Sequence, residues 1–223
     1  MRIIITAVIV TLLTSVSVPG EETPVLERIE WSDIWINNAD KDDLPRVLLV
    51  GDSIVKGYYN EVEKQLAGKA DCARYATSKF AGNPDYVTEL SIILNRHTFD
   101  VIHFNNGLHG WGYTEEQYER ALTDLLIMLK KLAPKAKLIW CMSTPVRDKN
   151  DLSKFGDRNG RVIERNRIAV GIMRRNGVII NDLYSLVSDH PEYQSQDGVH
   201  FNDTGKAAQA EQVANMIEKQ LSD

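Results

Sequence analysis

Arg46-Val47-Leu48-Leu49-Val50-Gly51-Asp52-Ser53 is the stretch on which the fold turns. Four apolar residues in a row, without the polar alternation of a half-exposed strand, read as a parallel strand covered on both faces. Gly51 marks a sharp turn. After it, Val55, Tyr58, Tyr59, Val62 and Leu66 recur at helical spacing up to Gly68. Strand, tight turn and helix make the opening unit of an α/β fold.

The rest of the chain repeats this unit. Strands are predicted over 72–77, 100–104, 137–142 and 178–181. Asn83 and Pro84 start a helix whose buried stripe is Val87, Leu90 and Leu94. Thr114 and Gln117 form a capping box before a long helix carrying Leu122, Leu125, Leu129 and Leu132. A basic helix is expected after the fourth strand, ending at Gly177, with arginines from Arg158 to Arg175 on a solvated face. Ala210, Val213, Ala214, Ile217 and Leu221 line the last helix. The prediction is a three-layer α/β/α sandwich on a flavodoxin-like, five-stranded parallel sheet of order 2-1-3-4-5.

Residues 1–20 differ in kind. Arg2, an apolar run over 3–13 and small residues to Gly20 have the pattern of a signal peptide cleaved after Ser17 or Gly20, implying a periplasmic or extracellular protein. A buried strand or helix is the alternative. The apolar run is too short for an integral membrane span. Residues 21–44, with Trp31 and Trp35, form a polar lead-in expected to wrap the edge of a domain over 45–223. A net charge of -5 without a basic cluster argues against nucleic-acid binding. Cys72 and Cys141 fall on strands that are not neighbours in this order, so both are expected as free thiols. No Cys/His cluster or HExxH motif suggests a metal, and no organic cofactor is implied.

Three polar groups follow strands at the carboxyl edge of the sheet: Gly51-Asp52-Ser53, Asn105-Asn106-Gly107 and Asp197-Gly198-Val199-His200. Core packing does not demand this convergence; nucleophilic catalysis does. Ser53 supplies a hydroxyl, His200 a base for its proton, and Asp197 an acceptor that fixes the imidazole tautomer. Helix capping is the other use for Ser53, and an Asx turn for Asn105. Asp52 reads as a turn residue and His103 as a packed histidine.

These blocks resemble the GDSL or SGNH hydrolase family over essentially the whole domain. The first block matches Gly51-Asp52-Ser53-Ile54 and the last, DxxH, matches Asp197 and His200. The third, usually GxND, aligns with His103-Phe104-Asn105-Asn106, retaining Asn105 alone. The resemblance implies a serine esterase with Ser53, His200 and Asp197 catalytic. Its oxyanion hole would take the Ser53 N–H, the Asn105 amide and a backbone N–H after strand two, at Ser78 or alternatively Gly82. A GxSxG elbow is missing, which disfavours the α/β-hydrolase fold. His109, Trp111 and Arg147 are substrate-contact candidates, although His109 also suits the surface and Trp111 with Tyr113 also suits loop anchoring. Asn202-Asp203-Thr204 is a glycosylation sequon that also suits a helix start. The expected substrate is a small acyl group, acetyl foremost, on a carbohydrate. The alternatives are a lipase, lysophospholipase or thioesterase, and a non-catalytic carbohydrate-binding member of the fold. Oligomeric state is not legible.

Overall fold

The computed structural model describes residues 25–222, so the segment 1–20, expected as a signal peptide, lies outside the described residues. The strands are β1 Ser32–Ile36, β2 Arg46–Gly51, β3 Asp71–Thr77, β4 Val101–Phe104, β5 Lys137–Cys141, β6 Arg147–Asp148, β7 Asp151–Phe155 and β8 Ile179–Asn181. The helices are α1 Ser53–Gln65, α2 Pro84–Arg96, α3 Glu115–Leu132, α4 Asn159–Arg175, α5 Leu183–Ser188 and α6 Asp203–Ser222. The main sheet has the order β1-β3-β2-β4-β5-β8. Its five parallel strands, counted among themselves, run 2-1-3-4-5 as expected.

The period-two alternation of β2 divides the core. Leu48 and Val50 face a cluster with Leu90, Leu122, Leu125 and Ile172, from α2, α3 and α4. Val47 and Leu49 face the other cluster, with Val55, Val62, Val213 and Ile217 of α1 and α6. All six β2 residues are buried, which explains the unbroken apolar run. Asn83 caps α2 through the Asp85 N–H, and the Thr114–Gln117 capping box is formed in both directions. Cys72 and Cys141 are free and buried, with β2 and β4 between their strands. Burial pushes the Cys72 thiol up to about 12, as do the nearby Glu63 and Asp71 carboxylates, so it is an inert packing residue. No described helix is long and apolar enough to cross a membrane.

Four expectations are corrected. The lead-in contributes a sixth strand, β1, antiparallel to β3 at the sheet edge. Its two polar residues, Ser32 and Asp33, are paired across the edge: the Ser32 hydroxyl donates to Glu89, and Asp33 lies 2.8 Å from the Arg74 guanidinium and 2.7 Å from Lys56 Nζ. The helix after β5 begins only at Asn159, because the β6–β7 hairpin intervenes. Val87 is exposed, and Tyr86 with Ile93 completes the buried stripe of α2. The arginines of α4 are not all solvated, since Arg165 is 0% exposed.

Candidate active site

Asp52 rather than Ser53 caps α1, its carboxylate accepting the Ile54 N–H at 2.8 Å. That leaves the Ser53 hydroxyl, on the first helical residue, free of capping duty. A Cβ on Gly51 would lie 2.3 Å from Val55 Cγ2, so only glycine permits this strand-to-helix turn.

The last block arrives on the loop before α6. Gly198 has φ +73°, and a Cβ there would lie 2.3 Å from the Arg147 carbonyl oxygen. The Arg147 N–H donates to the Gly198 carbonyl at 2.7 Å, so the β6–β7 hairpin pins this loop. Asp197 then folds back: one carboxylate oxygen accepts the Val199 and His200 N–H groups, each at 2.9 Å. Its other oxygen is 2.6 Å from His200 Nδ1.

His200 Nε2 lies 2.8 Å from Ser53 Oγ. With Nδ1–H donating to Asp197, Nε2 is the acceptor for the serine hydroxyl. Burial alone would raise the pKa of Asp197. The His200 ring and the two backbone N–H groups outweigh it and hold the carboxyl below its ordinary value. It is therefore a carboxylate at neutral pH, able to stabilise an imidazolium. The side chains of His200 and Asp197 remain about half exposed, at 46% and 51%.

Known structures share this architecture. A GDSL-like lipase from Bacteroides thetaiotaomicron is 15% identical, with 78% of this chain and 88% of that one covered and a TM-score of 0.61. A carbohydrate esterase family 3 protein from Talaromyces cellulolyticus is 18% identical, with coverages of 80% and 99% and a TM-score of 0.66. The chain has the SGNH hydrolase fold. An aryl esterase from M. smegmatis, 14% identical with coverages of 79% and 99%, gives a TM-score of 0.67. No protein-family profile matches the chain, and no curated protein matches it in sequence.

Within this SGNH hydrolase fold the expected oxyanion donors are placed unevenly. Ser53, at the first turn of α1, has no intrahelical acceptor for its N–H. Asn105 is buried, and its amide nitrogen donates to the Cys141 carbonyl at 2.6 Å and to Ser143 Oγ at 3.1 Å. Both amide hydrogens are thus engaged in this conformation. Ser78 is ruled out here as a donor, because its N–H is donated to the Trp31 carbonyl at 3.2 Å to hold β1. Gly82, the alternative, is exposed on the loop before α2 and its N–H makes no hydrogen bond among the described residues. Asn106, where the family has aspartate, bonds the same loop, accepting from the Ala81 N–H and donating to the Lys79 carbonyl.

The three substrate-contact candidates are turned to structural work. Arg147 is 4% exposed and its guanidinium donates to the Leu152 and Ser188 carbonyls. His109 lies 3.5 Å from Glu27 of the lead-in. Trp111 is packed beside the guanidinium groups of Arg158, Arg161 and Arg165, at 5.0, 5.6 and 4.8 Å from its ring centre. Tyr113 stacks on Phe80 at 4.2 Å, so loop anchoring describes both aromatics.

The important group missed from sequence is the neighbouring pair Arg165-Asn166 on α4. Arg165 donates to the Gly107, His109 and Gly110 carbonyls, holding the loop that follows Asn105-Asn106. Asn166 brackets Ser143, accepting its N–H at 2.9 Å and donating to its carbonyl at 2.8 Å. Two adjacent side chains therefore fix the loops on both sides of Asn105. The signal was available: Arg165 falls on the stripe of Val162, Ala169 and Ile172, where a charge has no place unless it is fully paired. No group of three or more metal-ligating side chains occurs among the described residues.

Proposed function

We propose that this protein is a serine esterase that removes a small acyl group, acetyl foremost, from a carbohydrate. The observation that carries the reading is the relay from Ser53 Oγ through His200 Nε2 and Nδ1 to Asp197, with steps of 2.8 and 2.6 Å. Ser53 Oγ bonds to the ester carbonyl carbon while its proton passes to His200 Nε2. The tetrahedral adduct collapses, and the alcohol leaves with that proton. Water, deprotonated by His200, then attacks the acyl-Ser53 ester; the acyl–Oγ bond breaks, the acid leaves, and His200 returns the proton to Ser53 Oγ. The Ser53 N–H faces the developing oxyanion. Asn105 would add a second donor if one amide hydrogen exchanged Ser143 Oγ for the oxyanion, and Gly82 N–H is the candidate third.

The exposure of the site supports a large alcohol. The His200 and Asp197 side chains are about half open to solvent, which suits an ester projecting from a bulky carbohydrate. Cavities of about 580 and 390 Å³ lie elsewhere, and neither is lined by Ser53, Asp197 or His200. Proteins of this fold include a carbohydrate acetylesterase from Sinorhizobium meliloti. The leader pattern of residues 1–20 supports action outside the cytoplasm.

A series of 4-nitrophenyl esters tests the reading. The expected kcat/KM is highest for acetyl and falls about tenfold or more by octanoyl. A maximum at octanoyl or beyond would favour the lipase alternative, and absence of turnover on every ester would favour the non-catalytic one.

A further inference from the structure

The lead-in strand β1 carries a feature that the relay does not use. Alternation along β1 puts Ser32 on one side of the sheet, where its hydroxyl meets Glu89 and the Lys79 ammonium. Trp31, Asp33 and Trp35 fall on the opposite side, with α1. Trp35 is 56% exposed and lies opposite Arg74 in the register, while Trp31 is partly exposed. Asp33 lies between the two tryptophans along the strand and joins Lys56 and Arg74 through ion pairs of 2.7 and 2.8 Å. The strip starts at the active edge. At the end of β3 the Trp31 N–H donates to Ser78 Oγ and its carbonyl accepts the Ser78 N–H and the Thr77 hydroxyl, and Lys56, one helical turn from Ser53, has its ammonium 5.5 Å from the Trp31 ring. From there it runs down the sheet edge for four residues, about 13 Å.

We propose that Trp31 and Trp35 form a binding strip for the carbohydrate chain bearing the ester, leading that chain to Ser53. This rests on the esterase reading above. Two partly exposed indoles separated by charged groups of both signs fit a chain of sugar rings. The apolar C–H faces of the rings stack on indole, and the hydroxyls bond to carboxylate, ammonium and guanidinium. A lipid surface or an apolar protein face would have to desolvate Asp33, Lys56 and Arg74 without replacing their hydrogen bonds. A polyanion would meet Asp33 in the centre of the strip. The span calls for several linked rings rather than one.

The test compares hydrolysis of acetylated xylan with that of 4-nitrophenyl acetate by wild type, W31A, W35A and the double variant. The expected result is a drop of about tenfold for the double variant in the ratio of kcat/KM on xylan to that on the small ester, carried by KM. Partial recovery is expected in W31F/W35F. An unchanged ratio, including an equal loss on both substrates, overturns the strip. Retardation of mobility in gels containing acetylated xylan, measured in an S53A background, separates this proposal from the catalytic one. Xylan binding lost with the two tryptophans, in a protein whose wild type hydrolyses no ester, would sink the esterase reading and leave the strip standing. Ester hydrolysis with xylan binding indifferent to the tryptophans would sink the strip alone.

Discussion

Replacement of Ser53 by alanine lowers kcat on 4-nitrophenyl acetate by about 10⁴-fold or more and leaves the folded state intact. The size follows from the relay. Without the hydroxyl no acyl-enzyme forms, and His200 can at best assist a water molecule that is not held in line with the carbonyl. Retention of the fold follows from the capping arrangement. Asp52 supplies the cap of α1, and the only hydrogen bond of the Ser53 side chain among the described residues is the one to His200. The thermal midpoint of Ser53→Ala should therefore match wild type within a degree or two, about the effect of a surface substitution. A decrease in kcat of less than about tenfold would place the chemistry elsewhere.

Arg165→Met lowers folding stability by about 3 kcal/mol or more, the largest stability effect expected of a single substitution outside the apolar core. The guanidinium is 0% exposed and meets three carbonyl oxygens, with Glu115 3.5 Å from its Nε. Methionine fills most of the volume but donates no hydrogen bond, leaving the Gly107 and His109 carbonyls without this donor and the Gly110 carbonyl with the Tyr113 N–H alone. Lysine does not rescue, because a single ammonium cannot reproduce a planar fork that reaches Gly107, His109 and Gly110 together. The quantity to measure is the urea midpoint, with the slope checked for constancy. A loss below about 1 kcal/mol would mean that water replaces the arginine without cost. At permissive temperature the variant should also lose kcat, since the loop it releases directly follows Asn105-Asn106.

Legibility followed the physics of each element. Strand β2 announced itself because a strand covered on both faces needs an unbroken apolar run, and the caps of α2 and α3 because capping has its own short motifs. Gly51-Asp52-Ser53 and Asp197-Gly198-Val199-His200 were readable because each places its polar groups just after a strand or just before a helix. Strand β1 was not, since its polar residues Ser32 and Asp33 are satisfied by Glu89, Arg74 and Lys56, partners more than 20 positions away. The hairpin β6–β7 is two short, polar strands with no periodicity to detect. Spacing put Asn105 just after a strand, yet could not show that Cys141 and Ser143 engage its amide. Ser78 and Arg147 failed for a related reason: position at the right edge of a sheet does not tell whether a neighbouring segment has already taken the donor.

The proposed chemistry requires Ser53 to be a nucleophile made reactive by His200. Labelling the folded protein with a fluorophosphonate and mapping the adduct by peptide mass spectrometry addresses this most directly. The predicted outcome is a single phosphonyl group on Ser53, lost in Ser53→Ala and slowed at least about 100-fold in His200→Ala. A folded protein that stays unlabelled, or that carries the label on another residue, contradicts it.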